Sequence, residues 1–234
     1  MEAKYGLDKP LFQQYLTYIT DALHGDFGDS VKQRGRTVMD IIKMKFPVSA
    51  RVGGVSVLVA LILGVPLGSI AALKRGKFAD SLISVVATCG IAIPSFVICT
   101  LLLYFFGVKL QILPTMGLTT GKHYVMPVMA LALYPTSYIT RLMRSSMLDV
   151  LGRTICGQQG PRDLREARSF SSTHSVMRFF RLVTYVGPLL AYTVTGSFVV
   201  EKIFTIPGLG SEFIGAITGR DYPLIMGLPS SLPH

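Results

Sequence analysis

The residues that could do chemistry in this sequence are few, and none of them completes a catalytic pattern. The segment from Gly117 to His123 partly matches a phosphate-binding loop, whose backbone N–H groups cradle a phosphate. It has one residue too few between its glycines, and a His follows the Lys where that loop needs Ser or Thr. The strand that precedes such a loop is also missing from the pattern, so we interpret the match as chance and predict no catalytic residue.

Metal and cofactor chemistry has equally little support. The four histidines are scattered and do not form the His-Glu-x-x-His pair of a zinc enzyme. The three cysteines have no paired spacing, so neither a disulfide nor a metal site is expected. Gly208 and Gly210 lack the third glycine of a dinucleotide-binding turn. We therefore predict no metal, no cofactor and no enzymatic activity for this chain.

The composition is typical of a protein embedded in a bilayer. Half of the 234 residues are hydrophobic and only 15% are charged, whereas a soluble domain has about 25% charged residues. The formal net charge of +10 would suit a nucleic-acid partner. The basic residues lie between apolar runs, however, where the charge asymmetry of a membrane protein explains them. We predict a lipid bilayer as the partner and no nucleic-acid binding.

Four apolar runs are close to the length that crosses about 30 Å of hydrocarbon. Because backbone polar groups must pair internally in lipid, each run is predicted to be a helix. The predicted fold class is therefore all-α, a polytopic bundle of transmembrane helices. Gly64 and Gly68 form one small-xxx-small pair, a weak sign of close helix packing. The spans are expected near residues 52–73, 82–108, 124–140 and 182–200.

The connections between the runs predict the orientation. Lys and Arg are concentrated in the short link after the first run and in residues 141–181, which the positive-inside rule places in the cytoplasm. Residues 1–47 and the link of residues 109–122 then lie outside. The spans hold almost no ionisable residue, which argues against a proton-driven carrier or a charge-lined channel. A partner that hydrolyses nucleotide is the simplest source of energy.

Residues 1–47 form an amphipathic segment before the first span. Apolar residues recur at helical spacing from Leu11 to Leu23, and this periodicity allows two interpretations. The helix lies on the outer face of a transporter, or it is an ordinary soluble helix packed on another element. The segment shows neither a signal peptide nor an earlier span, although the predicted orientation places it outside. Either the chain starts late or something upstream is missing.

Several blocks of sequence stand out in two stretches, residues 5–152 and 182–227. The first stretch contains Gly25-Asp26-Phe27-Gly28, Pro66-Leu67-Gly68, Ile93-Pro94-Ser95-Phe96, Leu113-Pro114 and Arg141-Leu142-Met143-Arg144-Ser145-Ser146-Met147. The second contains Gly196-Ser197-Phe198-Val199-Val200-Glu201-Lys202, Ile206-Pro207-Gly208-Leu209-Gly210 and Asp221. In combination, these blocks resemble the first of the two inner-membrane permease subunits of the dipeptide/oligopeptide class of ABC importers.

The resemblance implies a type I ABC importer permease with about four of the family's six spans present, in which residues 48–227 form the transmembrane domain. It implies a second homologous permease, two cytoplasmic ATPase subunits and an extracytoplasmic peptide-binding protein, all at the cell membrane of a bacterium or archaeon. Residues 141–181 would be the loop that couples to the ATPases, with Arg141, Arg144 and Met147 at its entrance. The external signature segment would comprise Glu201, Lys202, Pro207, Gly208, Gly210 and Asp221.

The sequence departs from the family pattern in residues 153–181 and 228–234. The first of these regions lacks the coupling signature, although its length is right. Back-translated and read from the third base of each codon, it permits Asp-Tyr-Met-Arg-Thr-Ala-Arg-Ala-Lys-Gly-Leu and later His-Ala-Leu-Arg-Asn-Ala. The same operation on residues 227–233 yields an apolar segment. We hypothesise a compensated frameshift across the coupling loop and an uncompensated one in an aberrant tail, residues 228–234, so that a last span is also missing.

Two alternatives accompany this interpretation. The permease of an importer for nickel or another small solute would have a similar sequence. A non-transporting, truncated membrane fragment, which at most binds its sister subunit, would also carry these blocks. Substrate uptake and co-purification with an ATPase would separate these possibilities.

Overall fold

The computed structural model describes residues 10–33, 35–157, 184, 187–189, 193 and 198–230, and these residues are mainly helical. Within them, the extended pairing is one isolated bridge between Asp29 and Thr37, which confirms the predicted all-α class. Most of the fourth predicted run lies outside the described residues. The helices are α1 (Leu11–Leu23), α2 (Val38–Leu73), α3 (Phe78–Ala92), α4 (Ser95–Leu102), a π-helix (Leu103–Lys109), α5 (Lys122–Gly157), α6 (Phe198–Ile203), α7 (Leu209–Gly219) and α8 (Tyr222–Ser230).

Helix α2 begins well before the first predicted span. Its start is fixed by a capping box, in which the Asp40 N–H donates to the Thr37 hydroxyl at 3.1 Å and the Asp40 carboxylate accepts from the Thr37 N–H. The helix has 36 residues and is therefore about 54 Å long. Exposed large apolar side chains lie at Met44 and Phe46 and then, beyond the exposed Arg51, in a run from Val55 to Leu73, a rise of about 27 Å. The predicted span, residues 52–73, lies within this helix, and the first turns of α2 precede it.

The second predicted run is not one continuous helix. It breaks at Ile93 and Pro94, and the helical segments on either side are bent by 102°. Proline has no N–H to continue the helical ladder and disfavours helical dihedrals in the residue before it. Ile93 accordingly has extended dihedrals, with φ −80° and ψ 123°. A proline in an apolar run predicts a kink that a membrane bundle tolerates, and the structure has a sharp break there instead.

The third predicted span lies within helix α5, which continues through Gly157, so the chain from 141 to 157 is helical. In the described part of the chain, α2 alone is long and apolar enough to cross a membrane by itself. The bent segment Phe78–Lys109 adds a second crossing if it is counted as one. Polar residues interrupt the apolar character of α5, and Ser137 and Thr140 among them are buried. Both residues lie where α5 contacts a neighbouring helix.

Helix α5 packs closely against α2 and α3. A methyl group on Gly64 would lie 2.9 Å from Cβ of Ile139, and one on Gly68 would lie 2.5 Å from the Thr140 carbonyl oxygen. The weakly predicted glycine pair therefore does make a close contact. Because the residue numbers of the contacting positions increase in the same direction along both helices, α2 and α5 run parallel. Helix α3 runs antiparallel to α5 and places Gly90 directly against Ser137.

Candidate functional site

The bundle has a polar cluster at each end, and we call these the inner and outer clusters after the predicted orientation. The inner cluster is built on Asp80, in the first turn of α3, and Arg144, on α5. Arg144 Nε donates to Asp80 Oδ1 at 2.6 Å, and Arg144 Nη2 donates to Asp80 Oδ2 at 2.8 Å. This two-point geometry is the strongest arrangement available to an arginine and a carboxylate. The hydrogen bonds that Arg144 donates to the Asp80 carboxylate raise the pKa of Arg144 above its ordinary value, so the guanidinium stays charged.

Asp80 also holds the turn that joins α2 to α3. The N–H of Gly76 donates to Asp80 Oδ2 at 3.0 Å, and Gly76 has a left-handed φ of 75° that favours glycine. One buried carboxylate therefore connects the turn, helix α3 and helix α5. Gly68 of α2 packs against the backbone of α5 at Arg144, where a methyl group on the glycine would come within 3.2 Å of the Arg144 backbone nitrogen.

The predicted coupling residues do not share one environment. Arg144 forms the ion pair with Asp80, whereas Arg141 is exposed and Met147 is half-buried. Lys74, Arg75 and Lys77, in the turn between α2 and α3, are exposed at the same end of the bundle. The inner end therefore combines one fixed ion pair with a set of exposed cations. The rest of the predicted coupling loop, residues 158–181, lies outside the described residues.

The outer cluster is centred on Glu201, a fully buried carboxylate on α6. Its Oε1 accepts from the Ser49 hydroxyl at 2.7 Å, and its Oε2 accepts from the N–H of Gly210 at 2.8 Å and of Ser211 at 3.2 Å. Ser49 in turn accepts from the N–H of Leu209 at 2.8 Å. These N–H groups belong to the first turn of α7, where a negative charge is stabilised by the helix dipole. Glu201 thus caps α7 and fixes it to α2.

The predicted signature glycines are required by this close approach. A methyl group on Gly208 would lie 2.5 Å from the Ser49 hydroxyl oxygen, and one on Gly210 would lie 2.5 Å from Cδ1 of Phe198. Gly208 has φ −99°, so the requirement is for space and not for a special backbone conformation. Lys202 and Pro207 are exposed and do not join the cluster.

Asp221 belongs to a second outer contact. Its carboxylate is buried and accepts from the Ser30 hydroxyl and from the N–H groups of Val31 and Lys32, each at 3.2 Å. Asp221 therefore holds the segment before α8 against the chain that leads into α2. A partly exposed ion pair, Lys45 Nζ to Glu212 Oε1 at 2.9 Å, adds a further link between α2 and α7.

The outer contacts unite segments that are far apart in sequence. An apolar core lies beneath them, formed by buried residues of the chain before α2, of α2 itself and of α7 and α8. Its members are Phe27, Val38, Ile41, Ile42, Leu209, Ala216, Leu224 and Leu228. The link before α5 also reaches this end, where the Gly117 N–H donates to the Phe204 carbonyl at 3.0 Å.

Sequence reasoning missed three partners in these clusters: Asp80, Ser49 and Ser30. Asp80 could have been noticed as the one acidic residue in α3. Ser49 and Ser30 are small polar residues that carry no signal of a partner more than 150 positions away. Within the described ranges, no group of three or more His, Cys, Asp or Glu side chains could hold a metal ion.

Comparison with known proteins defines the class of this fold. The chain superposes on the MetNI methionine ABC transporter, solved in inward-facing conformations, with a TM-score of 0.58 at 16% sequence identity. The match covers 81% of this chain and 87% of that chain. At this identity the likeness concerns the fold alone.

The sequence comparison is more specific. The chain belongs to the family described as binding-protein-dependent transport system inner membrane component, whose sequence pattern matches residues 64–155. The dipeptide transport system permease protein DppB of Bacillus subtilis is 40% identical over 227 residues, or 97% of this chain and 74% of that protein. The oligopeptide transport system permease protein OppB of Salmonella typhimurium is 37% identical over 97% of this chain and 75% of that protein. The predicted family is confirmed, and the chain is a membrane protein of a transport system.

Proposed function

We propose that this chain is the transmembrane permease subunit of an ATP-driven importer of dipeptides or oligopeptides. The observation that carries the proposal is the 37–40% identity to dipeptide and oligopeptide permeases over 97% of the chain. The chain itself would provide part of the path through the membrane and would make no covalent bond. A second, homologous permease would complete the path, in the multi-pass arrangement of the cell membrane of a bacterium or archaeon.

We place energy coupling at the inner cluster. Two cytoplasmic ATPase subunits would bind near Arg141, Arg144 and Met147, where α5 extends beyond the predicted span as a continuous helix. The ion pair with Asp80 supports this assignment, because it joins the extension of α5 to α3 and to the turn that follows α2. Movement of the extension would then be transmitted to the spans. The exposed cations of the turn after α2 agree with a cytoplasmic location.

The outer cluster would face an extracytoplasmic peptide-binding protein. The signature residues Glu201, Gly208 and Gly210 would then shape the surface by fixing α7, and Asp221 would fix α8. Lys202 and Pro207, which are exposed, would be available for direct contact.

Uptake of a radiolabelled dipeptide tests the function. A bacterial strain without its own peptide permeases would express the chain with its neighbouring permease, ATPase and binding-protein genes. We expect uptake that depends on ATP and on the binding protein. Uptake of nickel but not of peptide would contradict the proposed substrate class. Failure of the chain to co-purify with an ATPase would favour the truncated fragment.

We also propose that residues 153–181 are encoded out of frame. The family pattern matches through residue 155, close to the first residue of the hypothesised shift at Arg153. Residues 158–181 lie outside the described residues. Sequencing of the gene tests this proposal: a single intact frame that encodes Arg153–Arg181 in an active transporter would refute it. Restoring the alternative frame should raise peptide uptake if the shift is present.

A further inference from the structure

The turn between α2 and α3 combines exposed cations with exposed apolar side chains. We call residues 73–78 the basic turn, and all six of them are exposed. Three are cations: Lys74, Arg75 and Lys77. The apolar residues at the two ends of the turn are Leu73, at 68% exposure, and Phe78, at 82%, the highest among the large apolar side chains of the described residues. Charge and apolar surface are therefore presented together within six residues.

The basic turn has a fixed shape, and its charge is not neutralised from within the described chain. The Lys77 N–H donates to the Lys74 carbonyl at 2.9 Å, and the Gly76 N–H donates to the Asp80 carboxylate at 3.0 Å. Asp80 is the nearest acid along the chain, and it is buried and paired with Arg144. None of the ion pairs in the described part of the chain includes a cation of the basic turn. Three positive charges are thus available to a partner.

An exposed apolar stripe on α3 leads into the basic turn. It consists of Phe78, Leu82 and Val85. The same helix buries Asp80, which contacts Arg144 of α5. At 100° per residue, the three exposed side chains point about 140–160° away from Asp80. The stripe is therefore on the side of α3 that faces away from this contact with α5.

The end of α2 carries a second exposed apolar stripe, formed by Leu63, Leu67 and Ile70. One described residue of the fourth predicted run, Leu189, belongs to a buried cluster against which Val65 of α2 packs. At 100° per residue, the side chains of the stripe point about 140–160° away from Val65. Leu189 therefore packs on the opposite side of α2 from the stripe.

The size of the side chains indicates what covers the two stripes. Helices that pack against each other in a membrane favour small residues, which allow a close approach. Helix α2 has such residues, Gly64 and Gly68, where it contacts α5. The stripes instead consist of Leu, Ile, Val and Phe, the side chains that enter hydrocarbon most favourably. They are therefore suited to lipid chains, and the basic turn is suited to the level at which the hydrocarbon ends.

We propose that the basic turn binds the anionic headgroups of phospholipids at the inner surface of the membrane. Leu73 and Phe78 extend into the acyl chains, while the long basic side chains reach the lipid phosphates. The cytoplasmic leaflet carries anionic lipids, and each Lys or Arg near its surface adds to the attraction. A cytoplasmic protein would neutralise the cations as well, but it would not cover apolar stripes that continue along two spans.

This inference rests on the proposed function for the membrane location and adds a lipid partner beside the inner cluster. The basic turn is joined to Asp80 through the Gly76 N–H, and Asp80 is joined to Arg144 on α5. Bound lipid therefore holds the α3 end of the ion pair at the membrane surface.

Tryptophan fluorescence tests the proposal, because the chain contains no tryptophan of its own. Phe78→Trp places a single reporter in the full chain, which is reconstituted into phosphatidylcholine vesicles with increasing amounts of dibrominated phosphatidylglycerol or dibrominated phosphatidylcholine. Bromine quenches the fluorescence when the lipid contacts the tryptophan, so the two series give the ratio of binding constants. One cation near an anionic surface strengthens binding about fivefold. We expect phosphatidylglycerol to bind more tightly by about threefold or more; a smaller ratio, or no quenching by either lipid, overturns the proposal.

Charge variants of the reporter chain locate the effect. Changing the three cations of the basic turn to glutamine should lower the ratio to about one, because the attraction is electrostatic. The matched control removes the same number of exposed cations from the outer end, by Lys43→Gln, Lys122→Gln and Lys202→Gln. The control should keep the ratio. A ratio that survives the first set of changes, or that is lost in the control, contradicts binding at the basic turn.

A second reporter separates this proposal from the proposed function. Leu63→Trp lies on the exposed stripe of α2, within the predicted span, and should be quenched equally by both lipids. If neither lipid quenches Leu63→Trp, the span is not in lipid and the proposed function fails as well. Equal quenching at Leu63→Trp together with a ratio near one at Phe78→Trp overturns only the lipid site.

Discussion

The two ends of the bundle are built on different principles. At the outer end, the buried carboxylates of Glu201 and Asp221 accept hydrogen bonds from backbone N–H groups and serine hydroxyls, and an apolar core lies beneath them. At the inner end, one ion pair between Asp80 and Arg144 is surrounded by exposed cations, and Arg144 itself is 32% exposed. The outer end is therefore fixed in one arrangement. In the described part of the chain, the Asp80–Arg144 ion pair holds the inner end, and the exposed cations beside it leave charged surface for a partner.

Removal of the Glu201 carboxylate should have the largest effect. Glu201→Ala leaves the Ser49 hydroxyl and two N–H groups of α7 buried without an acceptor, so the free energy of unfolding should fall by about 3 kcal/mol or more. The measurement is the midpoint of thermal unfolding of the purified chain in detergent. Lys202→Ala, at the exposed neighbouring position, is the matched control and should leave the midpoint nearly unchanged. Equal midpoints for both variants would contradict the rigid outer end.

The glycine contact between α2 and α5 should be the next most sensitive. Gly68→Ala places a methyl group 2.5 Å from the Thr140 carbonyl and 2.7 Å from Cβ of Met143, and such overpacking costs about 1–3 kcal/mol. Gly54→Ala, on the same helix, meets no atom within 4 Å and should stabilise the helix by up to about 1 kcal/mol. The same unfolding assay compares the two. A stabilising Gly68→Ala would mean that α2 and α5 are not in close contact.

Loss of one acceptor at Asp221 should cost less. Asp221→Asn keeps one carbonyl oxygen but turns an amide NH₂ toward an N–H donor of Val31 or Lys32, which we expect to cost about 1–2 kcal/mol. Asp26→Asn is the control, because Asp26 is exposed and accepts a local bond from the Gly28 N–H at 2.9 Å; its change should stay within about 0.5 kcal/mol. If the two variants have the same midpoint of thermal unfolding, Asp221 does not hold α8 in place.

The smallest effect on stability is expected at the inner end. Asp80→Asn removes a charge from the contact with Arg144 and weakens the acceptor of the Gly76 N–H, yet the outer core is untouched. Hydrogen exchange followed by mass spectrometry should show faster exchange in residues 74–80, with the unfolding midpoint little changed. Asp40→Asn, at the capping box of α2, should instead affect exchange only at the outer end. A large loss of global stability in Asp80→Asn would remove the contrast between the two ends.

Much of the architecture was predictable from local patterns. Apolar periodicity and composition are local properties, so the all-α class and the helical nature of the runs could be inferred without contacts. The family blocks indicated the transport class, and the comparisons confirmed it. Proline at position 94 indicated an irregularity, but its consequence depended on packing. The sequence could not distinguish a kink from a 102° break.

The candidate clusters were predictable only in part. Glu201, Gly208 and Gly210 were singled out together, and they do meet, because they lie within one short segment of chain. Arg144 was singled out without Asp80, which is 64 positions away. A hydrogen bond between distant segments has no counterpart in local spacing.

Hydrophobicity and charge along the chain by themselves determined that these residues form helices suited to a bilayer, with basic links between them, because both properties act over a few turns at most. Only the tertiary structure decided which acid meets which partner. It set the register of α2 against α5 through Gly64 and Gly68, and that of α3 against α5 through Gly90. The physical reason is that a buried polar group is satisfied by whatever donor the packing of distant helices brings to it.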